Sequence, residues 1–221
     1  MNIDDPKIIA LKSNIEIAFQ EFALAIKYHE ALKVALYDKE LHRRLGTLVT
    51  DDTFRTILDA LRREALLALM RLWDKDTRTI GINVMADNFR CDCVINALIN
   101  GLADDIKQSL IDRKKEIIEL VDKYSANGSQ YAVIVKLRKL RNSFLAHRQA
   151  GVINIDSTTN DEIEYIYQDT LRLISLLLSL IKRTGCDPNA FTKNDRVNAE
   201  NFWNAWGENR IPFNLSDIPV K

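Results

Sequence analysis

Apolar residues recur every three or four positions along most of the chain, which is the period of an amphipathic α-helix. The first such run follows the helix-starting residues 4–6, two acids and a proline, and continues to about Leu45. A second run follows the capping residues 50–52 and ends near Asp74. The pattern therefore predicts two long helices in the first third of the chain.

The same period predicts four further helices. A short helix is expected over residues 86–100, a charged amphipathic helix over 102–125, and another from about Ser129 to Gln149. The apolar and polar alternation of residues 152–156 indicates a short extended piece or half of a small hairpin. A long helix over 160–184 is apolar on most sides, so we expect it at the centre of a bundle.

The whole pattern predicts an all-α protein, an up-down bundle of about five to six helices. Glycine and proline are scarce, at 7 and 4 residues, which leaves few obligatory turns. We assign the bundle to residues 1–185 and a C-terminal extension to residues 186–221. The extension lacks a long period but holds aromatic residues, which we expect to dock onto the bundle or a partner: Phe191, Phe202, Trp203, Trp206 and Phe213.

Composition excludes several classes of function. The chain has 31 Lys and Arg against 31 Asp and Glu, so binding of a polyanion requires local clustering of charge. No His, Asp, Glu or Cys residues cluster at metal-ligand spacing, and no glycine-rich phosphate loop occurs, so we expect neither a metal nor another cofactor. The three cysteines form no disulfide framework, so we expect reduced thiols. The longest apolar run, residues 173–181, is too short to span a membrane, and we expect a cytoplasmic protein.

Such a cluster of charge does occur. No Asp or Glu lies between Tyr124 and Ile155, and five cations lie there: Lys136, Arg138, Lys139, Arg141 and Arg148. On a helix, His147 continues the apolar stripe, whereas Arg141 belongs to the adjoining stripe. The two residues are six positions apart, which is about 9 Å along the helix axis. A distorted last turn, a long arginine side chain or a second copy of the helix from a two-fold partner could bring the two groups together. A solvated basic face and a core histidine are the simpler alternatives.

Arginine, asparagine and histidine at this spacing can in principle cleave RNA without a metal. Histidine exchanges protons near neutral pH, and arginine offers a fixed positive fork to phosphate oxygens. RNA supplies its own nucleophile, the 2′-OH.

Two other features of the sequence were considered. Asp74 and Asp76, near Arg71 and Arg78, form either a loop salt-bridge set or a second functional patch, whereas His29 fits core packing on the first helix.

Two short segments resemble one family. Residues 141–147, RNSFLAH, resemble the Arg-polar-x(3–5)-His motif of HEPN domains, and residues 72–82, LWDKDTRTIGI, resemble their abortive-infection U-type branch. The resemblance implies a helical bundle that dimerises to form a metal-independent endoribonuclease site. It also implies a role in phage defence or a toxin–antitoxin system, with RNA as substrate and an antitoxin or regulatory protein as a further partner.

The resemblance also implies roles for individual residues. Arg141 would stabilise the phosphate in the transition state, and His147 would transfer protons. Asn142 would be the polar residue that follows the arginine in the motif. Arg138 and Arg148 would guide the RNA backbone. Where some members have a tyrosine two residues after the histidine, this chain has a glutamine. The alternatives are a non-catalytic module that binds a nucleotide or RNA and a regulatory interaction protein.

Overall fold

The computed structural model describes residues 5–45, 52–74, 80–146 and 159–208, and every regular element in these ranges is an α-helix. The predicted all-α class is therefore confirmed. The helices are α1 (Pro6–Tyr37), α2 (Lys39–Leu45), α3 (Asp52–Leu72), α4 (Ile82–Arg90), α5 (Asp92–Ile99), α6 (Asp104–Asp122), α7 (Tyr131–Ala146), α8 (Asn160–Lys182) and α9 (Pro188–Glu208). The predicted extended piece at residues 152–156 lies outside the described residues.

Two of the predicted helices are each divided in two. The first helix ends at Asp38, whose extended backbone stops α1 and whose carboxylate accepts hydrogen bonds from the amides of Glu40 and Leu41, at 2.9 and 3.0 Å, at the start of α2. The helix predicted over residues 86–100 is interrupted at Cys91, which is extended and separates α4 from α5. Apolar periodicity continues across both breaks, so it could not reveal them.

The cysteine prediction was wrong for two of the three thiols. The structure places a disulfide between Cys91 and Cys93, which are both exposed at the junction of α4 and α5. Cys186 is a free, half-buried thiol, as expected. A pair separated by one residue closes a very small ring, whereas the expectation of reduced thiols rested on an odd number of cysteines without a disulfide framework.

The centre of the bundle is α8, as its pattern predicted. Thr159 and Glu162 form a capping box at its start, and the helix is buried on most sides from Ile163 to Leu180. It packs against α1, α3, α6 and α9, and α1 packs in addition against α3 and α9. No helix among the described residues is both long enough and apolar enough to cross a membrane.

The C-terminal extension was expected to lack a long helical period, but it contains the 21-residue helix α9. Its buried or paired positions are spaced by four, three and four residues, which is a helical face: Thr192, Arg196, Ala199 and Trp203. Only one member of this face is a large apolar residue, so a hydrophobic pattern could not show it. Trp203 is 1% exposed, and its indole N–H donates to the carbonyl of Ala31 at 2.9 Å. The division of the chain at residue 185 stays a prediction.

A charged cluster lies buried between α1, α8 and α9. His29 stacks on the ring of Tyr167, with centroids 3.5 Å apart, and its Nε2 is 2.7 Å from the carboxylate of Glu164. Glu30, only 1% exposed, accepts hydrogen bonds from Tyr167 at 3.2 Å and from Arg196 at 2.8 Å. The core position expected for His29 is confirmed, but the histidine there faces two carboxylates.

These contacts shift the ionisation of all three groups. Burial alone would lower the pKa of His29, but hydrogen bonds to Glu164 and Glu30 and their charges outweigh it and raise that pKa above 6.5. Burial alone would raise the pKa of Glu30, whereas His29 and Arg196 bring it down to about 2. The hydrogen bond with His29 is the largest cause that lowers the pKa of Glu164 to about 2. The cluster therefore favours the protonated form of His29 and the ionised forms of Glu30 and Glu164.

The free energy of unfolding should fall as pH rises above about 6.5, because the protonated His29 stabilises the folded state more than the unfolded one. The contribution is fully present below the ordinary histidine pKa and is lost as pH passes through the raised pKa of the folded state. Urea unfolding of the wild type and His29→Gln at several pH values measures it. The difference between the two proteins should shrink as pH increases, and a constant difference would contradict this account.

Replacing Arg196 with alanine should destabilise the protein by about 1–3 kcal/mol, because Glu30 stays buried after losing its cationic partner from α9. Val197→Ala, at a neighbouring position that is 46% exposed, is the matched control and should change the unfolding free energy by less than about 0.5 kcal/mol. Chemical unfolding of the three proteins tests this. Equal stability of wild type and Arg196→Ala would show that the ion pair does not hold α9.

Candidate functional site

The basic helix α7 runs antiparallel to α3. Arg138 contacts Trp73 near the end of α3, whereas Leu140 lines a cleft together with Leu66, two turns earlier on that helix. The buried face of α7 contains Leu137 and Leu140 of the predicted apolar stripe and Ile134 of the adjoining stripe that holds Arg141. The arginine stripe of α7 therefore passes the C-terminal end of α3.

Arg141 is fastened to that end by several hydrogen bonds. Its Nη1 donates to a carboxylate oxygen of Asp74 at 2.8 Å and makes a longer contact of 3.5 Å with the carbonyl of Met70. Its Nε and Nη2 both donate to the side-chain oxygen of Asn142, at 3.1 and 3.0 Å. The Arg141 side chain keeps 17% of its surface exposed, and Asn142 is exposed. The guanidinium is thus held in one orientation but remains accessible.

Arg138 lies beside Arg141 and is more enclosed. Its Nη2 donates to the carbonyl of Trp73 at 2.7 Å, while its Nε and Nη1 are buried without a hydrogen-bond acceptor among the described residues. Burial lowers the pKa of Arg138; the charge of Asp74 opposes this shift and that of Arg141 adds to it. Among the described residues, two guanidinium groups therefore face one carboxylate, which is a local excess of positive charge.

Trp73 fixes the end of α3 in the core. Its side chain is 1% exposed, its indole N–H donates to Thr170 of α8 at 2.9 Å, and its ring lies 4.7 Å from that of Tyr124. Asp74 follows Trp73 in the sequence, and the backbone carbonyl of Trp73 accepts a hydrogen bond from Arg138. The segment that resembled the abortive-infection branch therefore positions the residues that hold both arginines.

The acid-free stretch of sequence is not free of acids in space. Asp74 reaches Arg141 from the end of α3, and Glu162 of α8 accepts two hydrogen bonds from Lys136, at 3.0 and 2.7 Å. Asp74 pairs with Arg141 of the motif helix, whereas Arg71, one of the partners expected for it in the loop, pairs with Glu21. The two interpretations of the Asp74 and Asp76 set therefore stay open. Contacts between helices could not be read from composition along one helix.

Several predicted site residues lie outside the described residues. His147 and Arg148 follow the described end of α7, and Asp76 and Arg78 follow Asp74. The structure therefore brings together Arg138, Arg141 and Asn142 but provides no test of the proposed arginine–histidine contact. The roles assigned to all five predicted site residues stay predictions.

A cleft of about 290 Å³ opens between α3, α7 and α8. Its apolar surface comes from Leu66, Leu140 and Ile163, and its polar rim comes from the N-terminal half of α3: Thr56, Asp59, Arg62 and Arg63. Leu140 directly precedes Arg141 in the sequence. Within the described ranges, no group of three or more His, Cys, Asp or Glu residues is arranged to hold a metal ion.

A comparison with known protein families shows which family this chain matches. Residues 11–202 match the sequence profile of the HEPN family described as AbiU2. The chain belongs to this AbiU2 family of HEPN proteins. The match extends from α1 into α9 and includes both segments that carried the resemblance, so the fold is that of an abortive-infection-related HEPN protein. Searches of curated proteins and of solved structures found no match.

Thr170→Val should destabilise the protein by about 1–3 kcal/mol, because it keeps the volume of the side chain but leaves the indole N–H of Trp73 buried without an acceptor. In a double-mutant cycle with Trp73→Phe, the second substitution should cost less in the Thr170→Val background than in the wild type, since no unpaired donor then remains. Urea unfolding gives all four free energies. Additive effects would show that this hydrogen bond does not fix the end of α3.

Proposed function

We propose that this protein is a metal-independent endoribonuclease of the HEPN type that acts in phage defence or a toxin–antitoxin system. The observation that carries the proposal is Arg141, a guanidinium that is fixed by Asp74 and Asn142 yet accessible, inside the Arg-Asn-x(4)-His sequence of an AbiU2-family chain. Arginine in this state suits phosphate, because its orientation is set before the ligand arrives.

The proposed reaction is an internal transesterification of RNA. The ribose 2′-oxygen attacks the adjacent phosphorus, the bond from phosphorus to the 5′-oxygen of the next nucleotide breaks, and a 2′,3′-cyclic phosphate and a 5′-OH result. The proton of the 2′-OH goes to a base, and the leaving 5′-oxygen receives a proton. His147 supplies one of these transfers, and Arg141 stabilises the charge that develops on the phosphoryl oxygens.

A homodimer fits this chemistry. The motif contains one histidine per chain, whereas the reaction needs both a proton acceptor and a proton donor. A two-fold axis that brings two copies of α7 together supplies one histidine for each role and doubles the positive charge near Arg141 and Arg138. We place this reaction in the cytoplasm, where RNA is present, with an antitoxin or regulatory protein as a further partner.

The cleft between α3, α7 and α8 favours a second candidate function. Its volume and its apolar surface with a polar rim suit one nucleotide, and such a site could bind a nucleotide or an RNA strand without cleaving it. Affinity would then fall with salt and with loss of Arg138 or Arg141, and no product would form. The two candidates differ only in the chemistry that follows binding.

Wild-type protein should cleave bulk tRNA or mRNA in EDTA, and Arg141→Ala should reduce the cleavage rate on the order of 100- to 1,000-fold, because it removes the positive group at the phosphate. His147→Ala should be at least as inactive. The matched control is Arg172→Ala, which removes an arginine paired with Glu116 on another part of the bundle, at 2.6 and 2.7 Å, and should leave the rate unchanged.

The end groups of the products complete this test. Cyclic phosphate at the 3′ ends and hydroxyl at the 5′ ends support the proposal, and an oligonucleotide with 2′-deoxyriboses should not be cut. Equal cleavage by wild type and both site variants would assign the activity to a contaminant. Salt-dependent binding without cleavage by an intact dimer would favour the second candidate.

A further inference from the structure

Asp74 has no place in the Arg-polar-x-His motif, yet it makes the shortest contact to Arg141 among the described residues. It lies 67 positions earlier in the sequence and belongs to the end of α3, not to α7. The core anchors this end, because the preceding residue, Trp73, is buried and hydrogen-bonded to Thr170. Because its backbone is anchored in this way, the carboxylate of Asp74 can restrain the side chain of Arg141.

The two partners of Arg141 occupy different parts of its guanidinium. Asp74 and the carbonyl of Met70 accept from Nη1, which lies at the end of the group. Asn142 accepts from Nε and Nη2, whose parallel N–H bonds form the edge that arginine presents to phosphate in bidentate pairs. Asp74 thus leaves the phosphate-binding edge unobstructed, and Asn142 covers it.

Asn142 can leave that edge more easily than Asp74 can leave Nη1. Asn142 is exposed and uncharged, and it is the next residue along the same helix. Asp74 is charged and only 32% exposed, and it follows a residue fixed in the core. A phosphate that approaches from solvent therefore meets the amide first and can replace its single oxygen with two charged oxygens.

We propose that Asp74 is a positioning residue for Arg141: it holds Nη1 so that the Nε–Nη2 edge receives the phosphodiester, which displaces Asn142 from that edge. This inference rests on the proposed ribonuclease function for its effect on rate. The restraint on Arg141 itself is independent of any cleavage. Asp74 also moderates the repulsion between Arg138 and Arg141, since it faces both guanidinium groups.

The experiment compares wild type with Asp74→Ala and Asp74→Asn. The matched control is Asp87→Ala, which removes a carboxylate that accepts from Arg90 at 3.1 Å on α4. Single-turnover cleavage measures the chemical step, and binding of a 2′-O-methyl oligonucleotide, which lacks the nucleophile, measures affinity. The ¹⁵Nε–H signal of Arg141, assigned by its loss in Arg141→Lys, reports the order of the side chain with and without that oligonucleotide.

Asp74→Ala should lower the single-turnover rate by about 100-fold while changing affinity for the uncleavable RNA by only about threefold, because orientation and not charge attraction is lost. Asp74→Asn retains an oxygen that can accept from Nη1 and should recover part of the rate. In the wild type, the Arg141 signal should be distinct and should shift on RNA binding. In Asp74→Ala, it should move to the position of a free arginine side chain.

Failure of this inference is distinguishable from failure of the proposed function. If the wild type cleaves no RNA but Asp74→Ala still releases the Arg141 signal, the positioning stands and the ribonuclease assignment falls. If Asp74→Ala cleaves within about threefold of the wild-type rate, or leaves the Arg141 signal unchanged, Asp74 does not position Arg141. An equal loss of rate in the Asp87→Ala control would show that the effect is general destabilisation and would also overturn the inference.

Discussion

The ion pair between Asp74 and Arg141 joins the motif helix to the rest of the bundle at the candidate site. Arginine is a long and flexible side chain, and fixing it costs conformational entropy that a phosphate ligand would otherwise have to offset. Here the cost is met on folding, because Trp73 anchors the end of α3 in the core and Asp74 follows it directly. The core of the bundle and the chemistry proposed for its surface are therefore linked through two consecutive residues.

The proposed binding of RNA requires a local concentration of positive charge, because the chain as a whole has no net charge. Several cations of the described residues are paired with acids of other helices, as Arg172 is with Glu116 and Lys136 is with Glu162. Among the described residues, Arg138 and Arg141 depart from this pairing, since their two guanidinium groups share Asp74. A local excess of positive charge attracts phosphate to an otherwise neutral surface.

Much of the fold followed from hydrophobic periodicity, and its errors have physical causes. The long apolar pattern of α8 predicted both its bounds and its central position. The period could not show that helices end at Asp38 and Cys91, because the apolar stripe continues past both residues. Asp38 accepts a hydrogen bond from the amide of Glu40, and Cys91 forms a disulfide with Cys93. It also missed α9, whose contact face uses threonine, arginine and alanine beside a single buried tryptophan.

The site was predictable only in part, because a motif names residues on one helix whereas their electrostatic partners come from others. Arg141 and Asn142 could be chosen from the sequence, but the contact with Asp74 spans 67 positions and required the fold. The most direct test is a crystal structure of the protein with a 2′-O-methyl RNA. The account predicts a phosphate oxygen within hydrogen-bond distance of both Nε and Nη2 of Arg141, with Asp74 still bound to Nη1 and Asn142 turned away. RNA bound elsewhere, with Asn142 still on that edge, would contradict it.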